Sequence, residues 1–184
     1  MAYLLAALAG SLFGAGDQYL GSLSAHPWLV DSSLLSAPWL VLPFVFGCTQ
    51  GRRKRAISIG CIATASALLG YFVMTLTPME GVHLDGSAAP IIDLLYSELP
   101  VIVGAMFAAP LYGYLGYRWR TNRDWLSAAL VGGAVCLEPL ATAAVGRLPQ
   151  LSEVWIGEVL MGLVMCGFFL WSGLLHRSQA RRAS

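Results

Sequence analysis

Four carboxylates lie inside stretches otherwise fit for the interior of a bilayer: Asp17 in Gly16-Asp17-Gln18-Tyr19, Glu98 before Pro100, Glu138 before Pro139, and Glu158. A charge at the bilayer centre costs about 2.5 to 3.5 kcal/mol on insertion scales, so each embedded acid needs a partner or a task. Glu138 and Asp17 are the deepest, and Glu98 and Glu158 sit one to two turns inside the edge of their stretches. Burial and mutual repulsion favour a mixture of protonated and ionised carboxyls. Such a set suits general acid–base catalysis, cation binding or a proton relay.

Other groups belong to the same half of the chain's charge pattern. Glu80 and Asp93 fall near the interface, and Arg147 is the only fixed cation beside nine acids. Asp31, Asp85 and Glu153 read as solvated loop charges, and His26 and His83 as loop histidines. Aromatics interleave with the acids: Tyr19, Tyr96 and Trp155 beside them in sequence, and Trp39, Tyr71 and Phe72 at matching depth. Aromatic faces attract a ligand ammonium or a developing carbocation, and they also form interfacial belts. Asp17, Glu80, Glu98, Glu138 and Glu158 are therefore the candidate catalytic acids. Tyr19, Trp39, Tyr71, Phe72, Asp93, Tyr96, Arg147 and Trp155 are the candidate substrate-binding residues.

No other chemistry is legible. Walker, dinucleotide-binding, HExxH and Gly-x-Ser-x-Gly patterns are absent, and no metal or cofactor site is expected. Cys48, Cys61, Cys136 and Cys166 form no CxxC or Cys/His cluster and read as packing residues.

The elements that must hold these residues are membrane helices. At 57% hydrophobic and 11% charged, with a mean hydropathy of +0.67, the 184-residue chain falls outside the range of soluble domains. It reads as one all-α domain, a polytopic bundle of six transmembrane helices over about 3–23, 34–49, 56–77, 91–117, 125–145 and 154–175. The second stretch is short and carries Pro38 and Pro43, so it is expected to be tilted, broken or extended toward Asp31. Pro100 and Pro110 predict a kink in the fourth. The first fifteen residues lack a basic leader segment and read as uncleaved.

Ten of eleven basic residues share one side: Arg52 to Arg55, then Arg118, Arg120 and Arg123, then Arg177, Arg181 and Arg182. Only Asp124 among the acids joins them. The positive-inside rule puts that side, with both termini, in the cytoplasm of a multi-pass cell-membrane protein. A nucleic-acid partner is excluded.

Small-xxx-small spacings, including Ala2/Ala6/Gly10, Ala63/Ala67, Gly104/Ala108 and Ala128/Gly132, predict close helix packing or docking of a membrane partner subunit or a second copy. Paired patterns in the first and fifth stretches, and in the fourth and sixth, hint at an internal duplication.

The run Ser33 to Leu40, then Phe44 to Gly47, then Leu69 to Phe72, resembles an uncharacterised family of small multi-span actinobacterial membrane proteins. That resemblance implies a six-helix domain and no catalytic residue. In size, span count and outward pocket the chain also resembles the substrate-binding subunits of energy-coupling-factor transporters. In mechanism alone it is similar to integral membrane terpenoid cyclases.

Two functions are expected from the acids. The first is a membrane-embedded acid–base enzyme that protonates and cyclises a lipophilic isoprenoid, with Glu138 or Asp17 as proton donor and Glu98 or Glu158 as base. The alternative is the substrate-binding membrane subunit of a vitamin or cation uptake transporter.

Overall fold

The computed structural model describes residues 1–77, 89–144 and 152–183, with side chains described over 1–77, 91–144 and 152–173. These residues form eight helices and no strand: α1 (Ala2–Ser22), α2 (Pro27–Ser33), α3 (Ala37–Cys48), α4 (Arg53–Thr75), α5 (Ala89–Ser97), α6 (Leu99–Asn122), α7 (Trp125–Ala144) and α8 (Ser152–Ala183). Helices α4, α6, α7 and α8 up to Gly173 are long and apolar enough to cross a membrane. The bent pair α2 and α3 adds a fifth crossing if it forms one span. Met106, Phe107 and Val164 are each more than two-thirds exposed, an outward apolar belt suited to lipid rather than water.

The second stretch is broken and extended as its prolines led us to expect, whereas the fourth departs from the single kinked helix expected. The second begins earlier and is broken, with a 56° bend between α2 and α3. Pro38 lies in the first turn of α3, where its missing N–H is harmless, so the break falls just before it. The fourth divides at Glu98 into α5 and α6, and Pro100 opens α6 instead of kinking a longer helix. Pro110 and Pro139 remain within α6 and α7. Asp31, expected in a wet loop, is buried within α2.

Backbones approach closely along seams of small residues. A Cβ added to Gly10 or Gly14 would strike the backbone of Ala63 or Ala67, and one on Gly70 would strike Ser11. This register makes α1 and α4 parallel. Gly47, Gly113 and Gly116 do the same for α3 and α6, and Gly60 meets Ala109 and Gly113 where α4 and α6 pack antiparallel. Gly132 and Gly162 receive the Cys166 and Cys136 side chains between antiparallel α7 and α8, so these cysteines fill seams as expected. Hydrophobic drive is weak between helices in lipid, and close backbone packing takes its place.

One end of the bundle gathers the basic residues. The Arg120 guanidinium donates to the carbonyls of Cys48, at 3.2 Å, and Thr49, satisfying groups left open at the C-terminus of α3. Arg53 lies 4.7 Å over the Tyr114 ring and Arg123 lies 5.2 Å over the Trp119 ring. Asp124 belongs at this end for a local reason. It pairs with Arg118 at 2.9 Å and accepts from the Leu126 N–H at 3.3 Å and the Ser127 hydroxyl at 2.8 Å, capping α7.

Candidate functional site

The candidate site lies in the opposite half, where α1, α3, α4 and α6 enclose a chamber of about 430 Å³. Asp17 enters from α1 and Glu98 from the break before α6. Trp39 of α3 and Tyr71 and Phe72 of α4 form an aromatic wall, with ring centroids 6.1 Å apart for Trp39 and Tyr71 and 5.7 Å for Tyr71 and Phe72. Phe13 buttresses Trp39 from behind at 5.2 Å. The Trp39 indole N–H donates to Asp17 Oδ2 at 3.2 Å, which fixes the carboxyl against the aromatic wall. Gly104, Ala105, Ala108 and Ala109 line the α6 side. Gly104 has open space around it, so part of the small-residue pattern on α6 makes room for the chamber instead of a helix contact.

The four embedded acids, taken from the sequence as one set, are sorted by the structure into two pairs. Asp17 and Glu98 share the chamber. Glu138 and Glu158, only 6% and 5% exposed, face each other within hydrogen-bond reach across the α7–α8 seam. Ser36 holds Glu138 further: its hydroxyl donates to Glu138 Oε1 at 2.6 Å, and its backbone N–H donates to the same oxygen. Glu138 therefore also occupies the N-terminus of α3, where open N–H groups and the helix dipole favour an acceptor. A second cavity of about 430 Å³, lined by Leu137, Glu138, Ala141 and Thr142, meets the chamber at Ser36 and Leu40, which line both.

The remaining predicted residues fall elsewhere. Tyr19 is exposed on α1, and Asp93 and Tyr96 are exposed on α5, Tyr96 at 75%. Trp155 is half-buried on α8 and lines neither cavity. Glu80 and Arg147 lie outside the described residues. Among the described residues no group of three or more His, Cys, Asp or Glu side chains has the arrangement of a metal site.

Two residues of the site escape sequence reasoning. Ser36 joins the two cavities, and Thr64, 5% exposed, lines the chamber, while its hydroxyl is buried away from that space and has no hydrogen-bond partner among the described residues. Neither differs in type from many other hydroxyl residues of the chain. Only the depth of Thr64 within a hydrophobic stretch marked it.

Comparison with family models, with curated proteins and with solved structures gives no match, so no activity comes to this chain from a relative.

Proposed function

We propose that this chain is a six-span cell-membrane protein, with both termini cytoplasmic, whose outer chamber binds a small organic cation as the substrate-binding subunit of an uptake system. The topology is supported by helix directions. Helices α1, α4 and α7 start at the basic end and α3 and α6 finish there, as does the apolar part of α8, whose Gly173 lies near the Arg123 carbonyl. The positive-inside rule then sets the orientation, which places the chamber in the outer half.

One observation carries the binding reading: Asp17 and Glu98 face the same space as the aromatic wall. An ammonium there gains a charge-assisted hydrogen bond, about 1.5 to 3 kcal/mol, and a desolvated cation–π contact of about 2 kcal/mol. Among the described residues no basic side chain lines the chamber to hold an anion. Uptake further requires a membrane partner subunit that couples binding to transport.

The test is equilibrium binding of n-hexylamine and 1-hexanol to the purified protein in lipid nanodiscs, with empty nanodiscs correcting for partition. Saturable binding of the amine alone is expected, weakened about ten- to a hundredfold by Asp17→Asn and by Glu98→Gln. Equal binding of amine and alcohol would remove the reading.

A second reading, an acid–base enzyme of the terpenoid-cyclase type acting on a lipophilic substrate, is favoured by the Glu138–Glu158 contact, a carboxyl pair able to present a proton beside the second cavity. Turnover of an epoxy-isoprenoid by the wild type, abolished in Glu138→Gln and Glu158→Gln, would establish it over binding alone. Absence of product would dismiss it.

A further inference from the structure

Ser36 and Leu40 of α3 border both cavities, and above them α6 and α7 stand apart. At the basic end the same two helices are packed, with Leu115 and Trp119 of α6 against Ala128 and Val131 of α7 in the buried core. The face of α6 that carries Leu115 continues outward through Ala108 and Gly104, two and three turns earlier, because seven and eleven residues return to one side of a helix. Both line the chamber. At Gly104 that face borders open space: the residue is exposed, and an added Cβ would meet nothing among the described residues. On α7 the facing wall includes Leu137, which lines the second cavity and is nevertheless 59% exposed. Helices α6 and α7 thus form a V, closed at the Arg123 turn that joins them and open over the first turns of α3.

Depth decides what fills the opening. Gly104 stands sixteen residues above Arg120, roughly 24 Å, and Leu137 twelve above Trp125, roughly 18 Å, at 1.5 Å per residue. Arg120 and Trp125 mark the basic interface, and a hydrocarbon core is about 30 Å thick, so both positions lie among the acyl chains of the outer leaflet. The cleft opens sideways to lipid. Its polar groups on α7 are already engaged, Glu138 with Ser36 and Glu158, and the Thr142 hydroxyl with the α7 backbone. The remaining cleft wall is leucine and alanine, fit for a hydrocarbon chain, while the connected chamber offers the carboxyls of Asp17 and Glu98 to a positive head.

We infer, resting on the cation-binding reading, that the ligand is an alkylammonium amphiphile drawn laterally from the outer leaflet. Its ammonium lies at Asp17 and Glu98, and its single alkyl chain passes Ser36 and Leu40 into the cleft between α6 and α7. The chain then exchanges one hydrocarbon setting for another, so affinity referred to membrane-bound amine changes little with chain length.

The experiment uses the full chain in nanodiscs with n-hexylamine, n-dodecylamine and a dodecylamine bearing a diazirine beside its terminal methyl group, with empty nanodiscs giving the membrane-bound fraction. Dodecylamine is expected to bind saturably within about threefold of hexylamine on that scale. Photolysis should place adducts on residues 104–108 and 134–141, and excess hexylamine should suppress them. Weaker dodecylamine binding than that would mean an enclosed chamber, and adducts that hexylamine does not suppress would mean a crevice filled by ordinary lipid. Adducts confined to other helices would mean a different path. Each of these overturns the lateral route and leaves cation binding standing, whereas failure of hexylamine itself to bind saturably would overturn both.

Discussion

Ser36 and Trp39 sit three residues apart at the start of α3, and each holds a carboxyl from a different helix. Ser36→Ala removes one of two donors to Glu138 and is expected to destabilise the protein by about 1 kcal/mol, read as a lowered midpoint of thermal unfolding in nanodiscs. An unchanged midpoint would mean that the backbone N–H suffices. Trp39→Phe keeps an aromatic ring against Phe13 and Tyr71 but deletes the indole N–H. Hexylamine affinity should fall severalfold with little change in unfolding, because Asp17 loses its orientation and keeps its charge. The acids themselves were legible in the sequence, since an ionisable residue amid apolar ones stands out. Their pairing was not. Which carboxyl meets which depends on the 56° joint before α3, and that joint places Ser36 beside Glu138, far away in sequence.

At the scale of helices, packing depends on seams where one helix's backbone rests on another's. Gly14→Val would drive a side chain into the Ala67 carbonyl, which cannot yield because it is main chain. Separation of α1 from α4 is expected, with loss of monodisperse protein in size-exclusion chromatography. Gly133→Ala meets open space and should be neutral or stabilising by up to about 1 kcal/mol, through the greater helix propensity of alanine. If both variants behave alike, the seam is not what holds α1 in place. Hydropathy located the apolar stretches well for α4 and α7, whose bounds differ from expectation by three residues or fewer. Pro38 and Pro43 signalled a break in the second stretch but not its place at Leu34–Ser36, and hydropathy missed the one at Glu98, because a window average ignores where a single backbone group finds its acceptor. The capping of α3 by Glu138 and Arg120 decides that, and both partners come from other helices.

Across the whole molecule, charge is divided between two ends, and the basic end is tied by capping and ring contacts as well as by hydration. In a variant with its four cysteines replaced by serine or alanine, a single cysteine at Thr49 or Arg123 should react with an impermeant maleimide only in inside-out vesicles. One at Ser24 should react only in right-side-out vesicles. The opposite pattern would invert the molecule and put the chamber on the cytoplasmic side. Positive-inside patterning made this polarity plain before any coordinates, as the sign of a charge cluster needs no knowledge of contacts. The chamber was not plain, because alanine and glycine look the same in sequence whether they press on a neighbour or border empty space. That ambiguity has a consequence for Gly104, Ala105, Ala108 and Ala109. These positions work as the notches of a ruler: each added methyl group shortens the accommodated guest from one side without touching the carboxyl anchor. Related proteins with bulkier residues here would accept shorter molecules bearing the same head, so selectivity for length could drift while affinity for charge stayed fixed.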